Sequence, residues 1–208
     1  MTDVVAIVLA AGLSRRMGAV NKLLLSVGPE MLLRRVVDAC AAVADQPVVV
    51  VTGHQEDAVR AALRGAPVVF VHNPRFEAGQ MTSVDAGLRG APVAEHYLIA
   101  LGDQPDITPD ALNALLAAHY GDANGRMTIP MVAGQRGNPI VVPELLRARM
   151  LADPVNLGCR KLTRTAPELV HEFQTSDRSF VTDIDTPEDL ARARADLPQP
   201  KGGAHEPH

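Results

Sequence analysis

The chain has 208 residues, 47% of them hydrophobic, 21% charged and 3% aromatic, with no Trp and a net charge of −4. That length suits one sizeable domain with an aliphatic core of Ala, Val and Leu. No apolar run approaches the ~20 residues a membrane-spanning helix needs, and the acidic balance gives no reason to expect a polyanion such as DNA as partner.

Met1-Thr2-Asp3 leads straight into a strand-like segment without a secretory pattern, so a cytoplasmic protein is expected. Residues 4–10 form a continuous apolar run, the pattern of a strand buried on both faces. A helix is expected over 30–43, where Leu32, Leu33, Val36, Val37 and Cys40 make an apolar stripe, with Cys40 a small buried hydrophobe. Strand 47–52, a turn at Gly53, helix 56–63, strand 68–71, helix 82–89 and strand 96–101 follow. Thr108-Pro109-Asp110 combines an N-cap Thr, a Pro at the first helical position and an acid in the first turn, so a helix runs from there to His119. Strands at 127–130 and 139–142 flank a Gly-rich loop at 133–137. Helices at 143–151 and 158–165 and a strand at 169–173 come next. Thr186-Pro187-Glu188-Asp189 starts a final helix, with Asp189 placed to complete a capping box. From Pro198 the composition predicts a disordered tail over 198–208, leaving one domain over 1–197.

Alternating strands and helices predict an α/β, three-layer, Rossmann-like fold with a mostly parallel central sheet. Ligands of such sheets bind where loops leave the carboxyl ends of strands. Three loops fit that description, after Ala10, after Val71 and after Leu101.

The first loop reads Leu9-Ala10-Ala11-Gly12-Leu13-Ser14-Arg15-Arg16-Met17-Gly18, with Lys22 four residues later. Small residues at 10–12 let backbone N–H groups approach a phosphate or a base edge, and Arg16 and Lys22 add positive charge for a polyphosphate. The segment is neither GxGxxG nor GxxxxGK[ST]. In Leu101-Gly102-Asp103-Gln104-Pro105, Asp103 ends a buried strand, where a carboxylate is costly unless paired or bound to a cation. Magnesium takes one or two carboxylates plus phosphate oxygens, so Asp103 suits it, although a turn-forming Asp has the same sequence signature. Asp183 and Asp185 are spaced i, i+2, which in extended backbone turns both to one side.

From Leu9 to Lys22, Leu-Ala-Ala-Gly-x-Ser-x-Arg-Met-Gly-x-x-x-Lys resembles the signature of the molybdenum cofactor cytidylyltransferases and their MobA-like NTP transferase relatives. Leu101–Pro105 and Asp183–Leu190 resemble further motifs of that family. The resemblance spans roughly 4–197 and implies a nucleotidyltransferase fold and an enzyme that moves a nucleoside monophosphate, with pyrophosphate leaving. It implies that Leu9, Ala10, Ala11, Gly12 and Ser14 bind the nucleoside triphosphate, with Lys22 at the α-phosphate and Arg16 on the β- and γ-phosphates. Asp103 and Asp185 would hold Mg²⁺, with Asp183 the less secure match. Asn73 and Ser83 are assigned to nucleotide, while Gly79, Gln80, Met81, Asn138 and Arg160 are assigned to the acceptor. Asn156 stands where relatives often carry an acid, and Cys159 has no assigned role.

Ala10-Ala11-Gly12, against Ala-Gly-Gly in guanylyl relatives, points to CTP as donor. The acceptor implied is molybdenum–molybdopterin, and the recipient of the product a molybdenum hydroxylase or its insertion chaperone. The alternatives are the same chemistry with GTP or on another phosphorylated acceptor such as a sugar phosphate, and a non-catalytic nucleotide-binding maturation factor. A dinucleotide oxidoreductase is disfavoured by the missing GxGxxG.

Overall fold

The computed structural model describes residues 3–18, 20–152 and 166–195. The expected helix at 158–165, the tail at 198–208, and Asn156, Cys159 and Arg160 lie outside the described residues.

Strand β1 (Val4–Leu9) sits inside a sheet ordered β10-β7-β9-β6-β1-β4-β5. Its members are β4 (Val48–Thr52), β5 (Val68–His72), β6 (His96–Leu101), β7 (Met127–Val132), β9 (Ile140–Pro143) and β10 (Val170–Thr175), and β8 (Gln135–Arg136) pairs onto β7. β1 runs parallel to β4 and β6, β4 to β5, and β7 to β10, while β9 is antiparallel to both neighbours. The mostly parallel prediction therefore holds. β9 is the exception because the short hairpin of β7 and β8 turns the chain back.

Both faces of the sheet are covered. Val4, Ala6, Val8 and Ala10 pack with α1 (Leu32–Ala41), α2 (Glu56–Ala62) and α4 (Pro109–Asp122). Val5, Ile7, Leu9 and Ala11 pack with α3 (Gln80–Gly90) and α5 (Glu144–Ala152). The period-2 alternation of strand side chains thus sends successive residues into two separate cores, which is why β1 reads as an unbroken apolar run. No helix among the described residues is long and apolar enough to cross a membrane.

Two helix starts differ from expectation. The helix predicted over 30–43 begins at Leu32, because Glu30–Met31 forms β3 and pairs with β2 (Ser26–Val27) across a turn in which Gly28 takes φ 71°. The helix predicted over 82–89 begins earlier, at Gln80. The N-caps behave as read. Thr108 Oγ1 accepts from the Ala111 N–H at 3.2 Å at the head of α4. At the head of α6 (Pro187–Ala195), Asp189 Oδ2 accepts the Thr186 N–H at 2.9 Å and Thr186 Oγ1 accepts the Asp189 N–H at 3.2 Å. α6 is seated by a small third core of Val27, Leu32, Ile184 and Leu190.

Candidate active site

β1 and β6 are parallel neighbours with Leu9 opposite Leu101, so the loops that follow them leave the sheet side by side. This is where strand order reverses, with β4 on one flank of β1 and β6 on the other. The Gly102 N–H donates to Leu9 O at 3.1 Å, carrying the pairing one residue beyond the strands and fixing Asp103 against the first loop.

The first loop folds back on itself. Ser14 takes a left-handed conformation, φ 49°, and its hydroxyl accepts the Lys22 N–H at 3.2 Å. Asn21, itself buried, caps a short 3₁₀ turn at Lys22–Leu24 by accepting the Leu23 N–H at 3.1 Å, and buried Leu23 anchors that turn in the core. The lysine is thereby returned to the mouth of the loop that precedes it. Lys22 Nζ lies 2.6 Å from Asp103 Oδ2 and 2.6 Å from Asp185 Oδ1, and Arg16 pairs with Asp185 Oδ2. The Lys22 and Asp103 side chains are only 12% and 18% exposed, so solvent screens this pair less than a surface one. Burial pushes the Lys22 pKa down, but the charges and hydrogen bonds of Asp103 and Asp185 outweigh it, and the ammonium is held above its ordinary value.

The second acidic element reaches the same point through the backbone. The Ile184 N–H donates to Asp103 O at 3.0 Å while its side chain is buried in the third core. Asp183 and Asp185 flank it, and one oxygen each of Asp103, Asp183 and Asp185 lie within 4.8 Å of one another. Asp183 is held above the usual carboxylate range by desolvation first, then by the charges of Asp103 and Asp185. Asp103 Oδ1 is buried with no hydrogen-bond partner, an expensive state for a carboxylate oxygen and the state expected of an atom that serves a cation. This donor set, three carboxylates with one buried orphan oxygen, fits a hard divalent cation such as Mg²⁺. Asp189 is committed to the helix cap, and the Thr186 hydroxyl is the leading cause of its lowered pKa.

Two cavities meet on these carboxylates. One, about 450 Å³, is lined by Leu9, Ala11, Gly12, Ser14, Arg16, Lys22 and Ser83 among others. The second, about 820 Å³, is lined by Met81, Gln104, Arg136, Asn138, Phe180 and Asp183 among others. Gly79, Gln80, Leu101, Asp103 and Asp185 belong to both. Of the residues read from sequence, Ala10 is fully buried beneath the loop, with its N–H on Val51 O at 2.9 Å. Asn73 lines neither cavity. It is a buried strut whose Nδ2 donates to Thr82 Oγ1 at 2.9 Å and Ser83 Oγ at 3.0 Å, pinning the first turn of α3.

Two wall residues escaped the sequence reading. Gln104 Nε2 donates to Asn138 O at 2.8 Å, Phe180 O at 3.2 Å and Ser179 O at 3.3 Å, binding the segments on either side of the second cavity to the strand end that carries Asp103. Arg136 stands on β8. The Asp-Gln-Pro context offered a hint for Gln104, while nothing local marks Arg136.

Residues 6–178 match the family described as the MobA-like NTP transferase domain. The chain belongs to that family. The MobA-like family is one of nucleotidyltransferases, and its match ends before Asp183, so the second acidic element rests on the geometry above. Among relatives, the nicotine blue oxidoreductase of Paenarthrobacter nicotinovorans is 30% identical over 195 residues, covering 91% of this chain and 95% of that protein. The molybdenum cofactor guanylyltransferase of Rhodopseudomonas palustris is 31% identical over 198 residues, covering 90% and 91%. The molybdenum cofactor cytidylyltransferase of Escherichia coli is 25% identical over 198 residues, covering 93% and 97%. A Mycobacterium tuberculosis protein solved in complex with manganese superposes with a TM-score of 0.73 at 25% identity, over 93% of this chain and 98% of that one. The α/β fold with its mostly parallel sheet is thus that of the MobA-like nucleotidyltransferases.

Proposed function

We propose that this protein transfers CMP from CTP to the terminal phosphate of molybdenum–molybdopterin, releasing pyrophosphate, in a magnesium-dependent reaction in the cytoplasm. The observation that carries the reading is the meeting of two cavities on one set of carboxylates, with Lys22 and Arg16 on the side of the first. A donor nucleotide in one cavity and an acceptor in the other would present their reacting phosphates to each other across Asp103 and Asp185.

Asp103 and Asp185, with Asp183 beside them, would hold the magnesium ion, which supplies charge neutralisation to the phosphates when bound. Gly12 and Ser14 line the donor cavity. Arg16 and Lys22, paired with carboxylates in this structure, exchange those partners for phosphate oxygens and so stabilise charge on the transferring and leaving groups. The acceptor phosphate is itself the nucleophile, so the work of the protein is positioning and electrostatics, and no Ser-His-Asp or Cys-His set is needed. The product would pass to a molybdenum hydroxylase or its insertion chaperone.

The deciding experiment is pyrophosphate release from CTP, GTP and ATP with Mg²⁺, with and without molybdenum–molybdopterin. Release from CTP that depends on the pterin supports the reading. Two observations favour other readings. The 31% identity to a guanylyltransferase favours GTP, which a higher kcat/KM with GTP would establish. The 30% identity to an enzyme named as an oxidoreductase favours redox chemistry on this fold. Reduction of nicotine blue by a reduced nicotinamide cofactor, with no pyrophosphate formed from any nucleotide, would replace the transferase reading.

A further inference from the structure

The two cavities divide the basic side chains unequally. Arg15, Arg16 and Lys22 line the donor side. Arg136 is the one basic side chain among the described residues lining the second cavity, whose wall also carries Asp103, Asp183 and Asp185. A phosphorylated molecule entering there meets three carboxylates, while Lys22 and Arg16 already serve the other side. Binding an anion in such surroundings calls for a local cation.

The backbone that presents Arg136 is held by β7 on one edge and by hydrogen bonds at the two residues that follow it. Within the hairpin, Arg136 pairs opposite Met131 of β7. The next residue, Gly137, donates its N–H to Pro130 O at 2.8 Å and is packed so closely that a Cβ there would lie 2.5 Å from Phe180 O. The Asn138 N–H then donates to Phe180 O at 2.8 Å, and Gln104 Nε2 ties Asn138 O to the strand end of Asp103 at 2.8 Å. The half-buried arginine therefore stands on a strand that Gln104 ties to the strand end carrying Asp103.

We propose that Arg136 binds the acceptor's phosphate and is the residue that selects phosphorylated acceptors. The inference rests on the nucleotidyl-transfer reading above. A planar guanidinium grips a phosphate through two parallel N–H donors, whereas a lysine at the same place offers a point charge.

The test is to measure KM for molybdenum–molybdopterin and for CTP separately in the wild type, R136Q and R136K. Inhibition by a dephosphorylated pterin analogue and the unfolding midpoint are measured for each protein. Loss of one charge-assisted contact predicts a rise of about 10- to 100-fold in the acceptor KM of R136Q. The CTP KM should stay within about twofold, R136K should fall between, and the preference for the phosphorylated over the dephosphorylated pterin should shrink by the same factor as the KM rises. An unchanged acceptor KM, a parallel rise in the CTP KM, or an unchanged phosphate preference in active, folded R136Q would overturn the role of Arg136 alone. A folded wild type that turns over no nucleotide would overturn the transfer reading and this inference with it.

Discussion

Replacing Asp103 by Asn separates folding from metal binding more cleanly than any other single change in the site. The carboxylates of Asp103, Asp183 and Asp185 approach within 4.8 Å, and Lys22 lies 2.6 Å from Asp103. At an effective dielectric of about 20, each of the two repulsions Asp103 makes costs about 3.5 kcal/mol, and its attraction to Lys22 returns about 6 kcal/mol. These nearly cancel, and solvent around the exposed Asp183 reduces the repulsive side further. Asp103→Asn should therefore change metal-free stability by no more than about 1–2 kcal/mol, because Lys22 keeps Asp185 at 2.6 Å. On the proposed reading the same change removes a charged magnesium ligand, whose Oδ1 is buried without a partner. If Asp103 is a ligand, magnesium at about 100 times its dissociation constant should stabilise the wild type by about 2.7 kcal/mol through linkage. Asp103→Asn should lose most of that gain and at least about a hundredfold in turnover. Urea unfolding with EDTA and then with Mg²⁺, beside pyrophosphate release, reads all three quantities. A variant strongly destabilised in EDTA yet still stabilised by Mg²⁺ would show that Asp103 is a structural partner of Lys22 and not a metal ligand.

Ala11 lines the first cavity, where the proposed reading seats the nucleotide, so the added backbone freedom of Ala11→Gly should lower the CTP:GTP ratio of kcat/KM by several-fold; an unmoved ratio would place base selection elsewhere. Gly137→Ala would force a Cβ to within 2.5 Å of Phe180 O and should cost about 1–3 kcal/mol in urea unfolding while raising the acceptor KM more than that of CTP. His119, bonded to His96 at 2.9 Å and to Thr128 at 2.7 Å, has its pKa lowered from 6.5 to about 4 by burial first and by neighbouring His96 and His171 second. The unfolded chain thus binds the extra proton between pH 6.5 and about 4, and stability that is full above pH 6.5 is lost as pH falls through that window. The loss by pH 4.5 should be about 2 kcal/mol, and His119→Gln should flatten that part of the curve. An equal slope in both proteins would remove His119 as the cause.

What could be read before the structure was known follows from how far each signal reaches along the chain. β1 was legible because burial on two faces leaves one unbroken apolar run, and the caps of α4 and α6 because a cap is a contract between residues three apart. The i, i+2 spacing of Asp183 and Asp185 was local too. Their convergence with Asp103 was not, because it depends on an Ile184 N–H reaching Asp103 O across 81 positions of the chain. Asn73 shows how a local signal can hide a second, structural use. A polar residue at a strand end resembles a ligand-binding group, and here its amide donates to Thr82 and Ser83, of which Ser83 lines the first cavity. The start of the first helix was misplaced for a similar reason, since Glu30 and Met31 are claimed by a partner strand whose existence depends on the turn at Gly28. Gln104 and Arg136, in the wall of the second cavity, follow the same rule. One is adjacent in sequence to Asp103 and the other lies 33 positions beyond it, but both owe their place to carbonyls contributed by residues 130 and 138 and by Ser179 and Phe180. Half of the residues lining the first cavity come from one continuous loop, whose spacing is a local signal. The second cavity is assembled from segments distant in sequence, so whatever it selects under the proposed reading has to be sought in long-range hydrogen bonds.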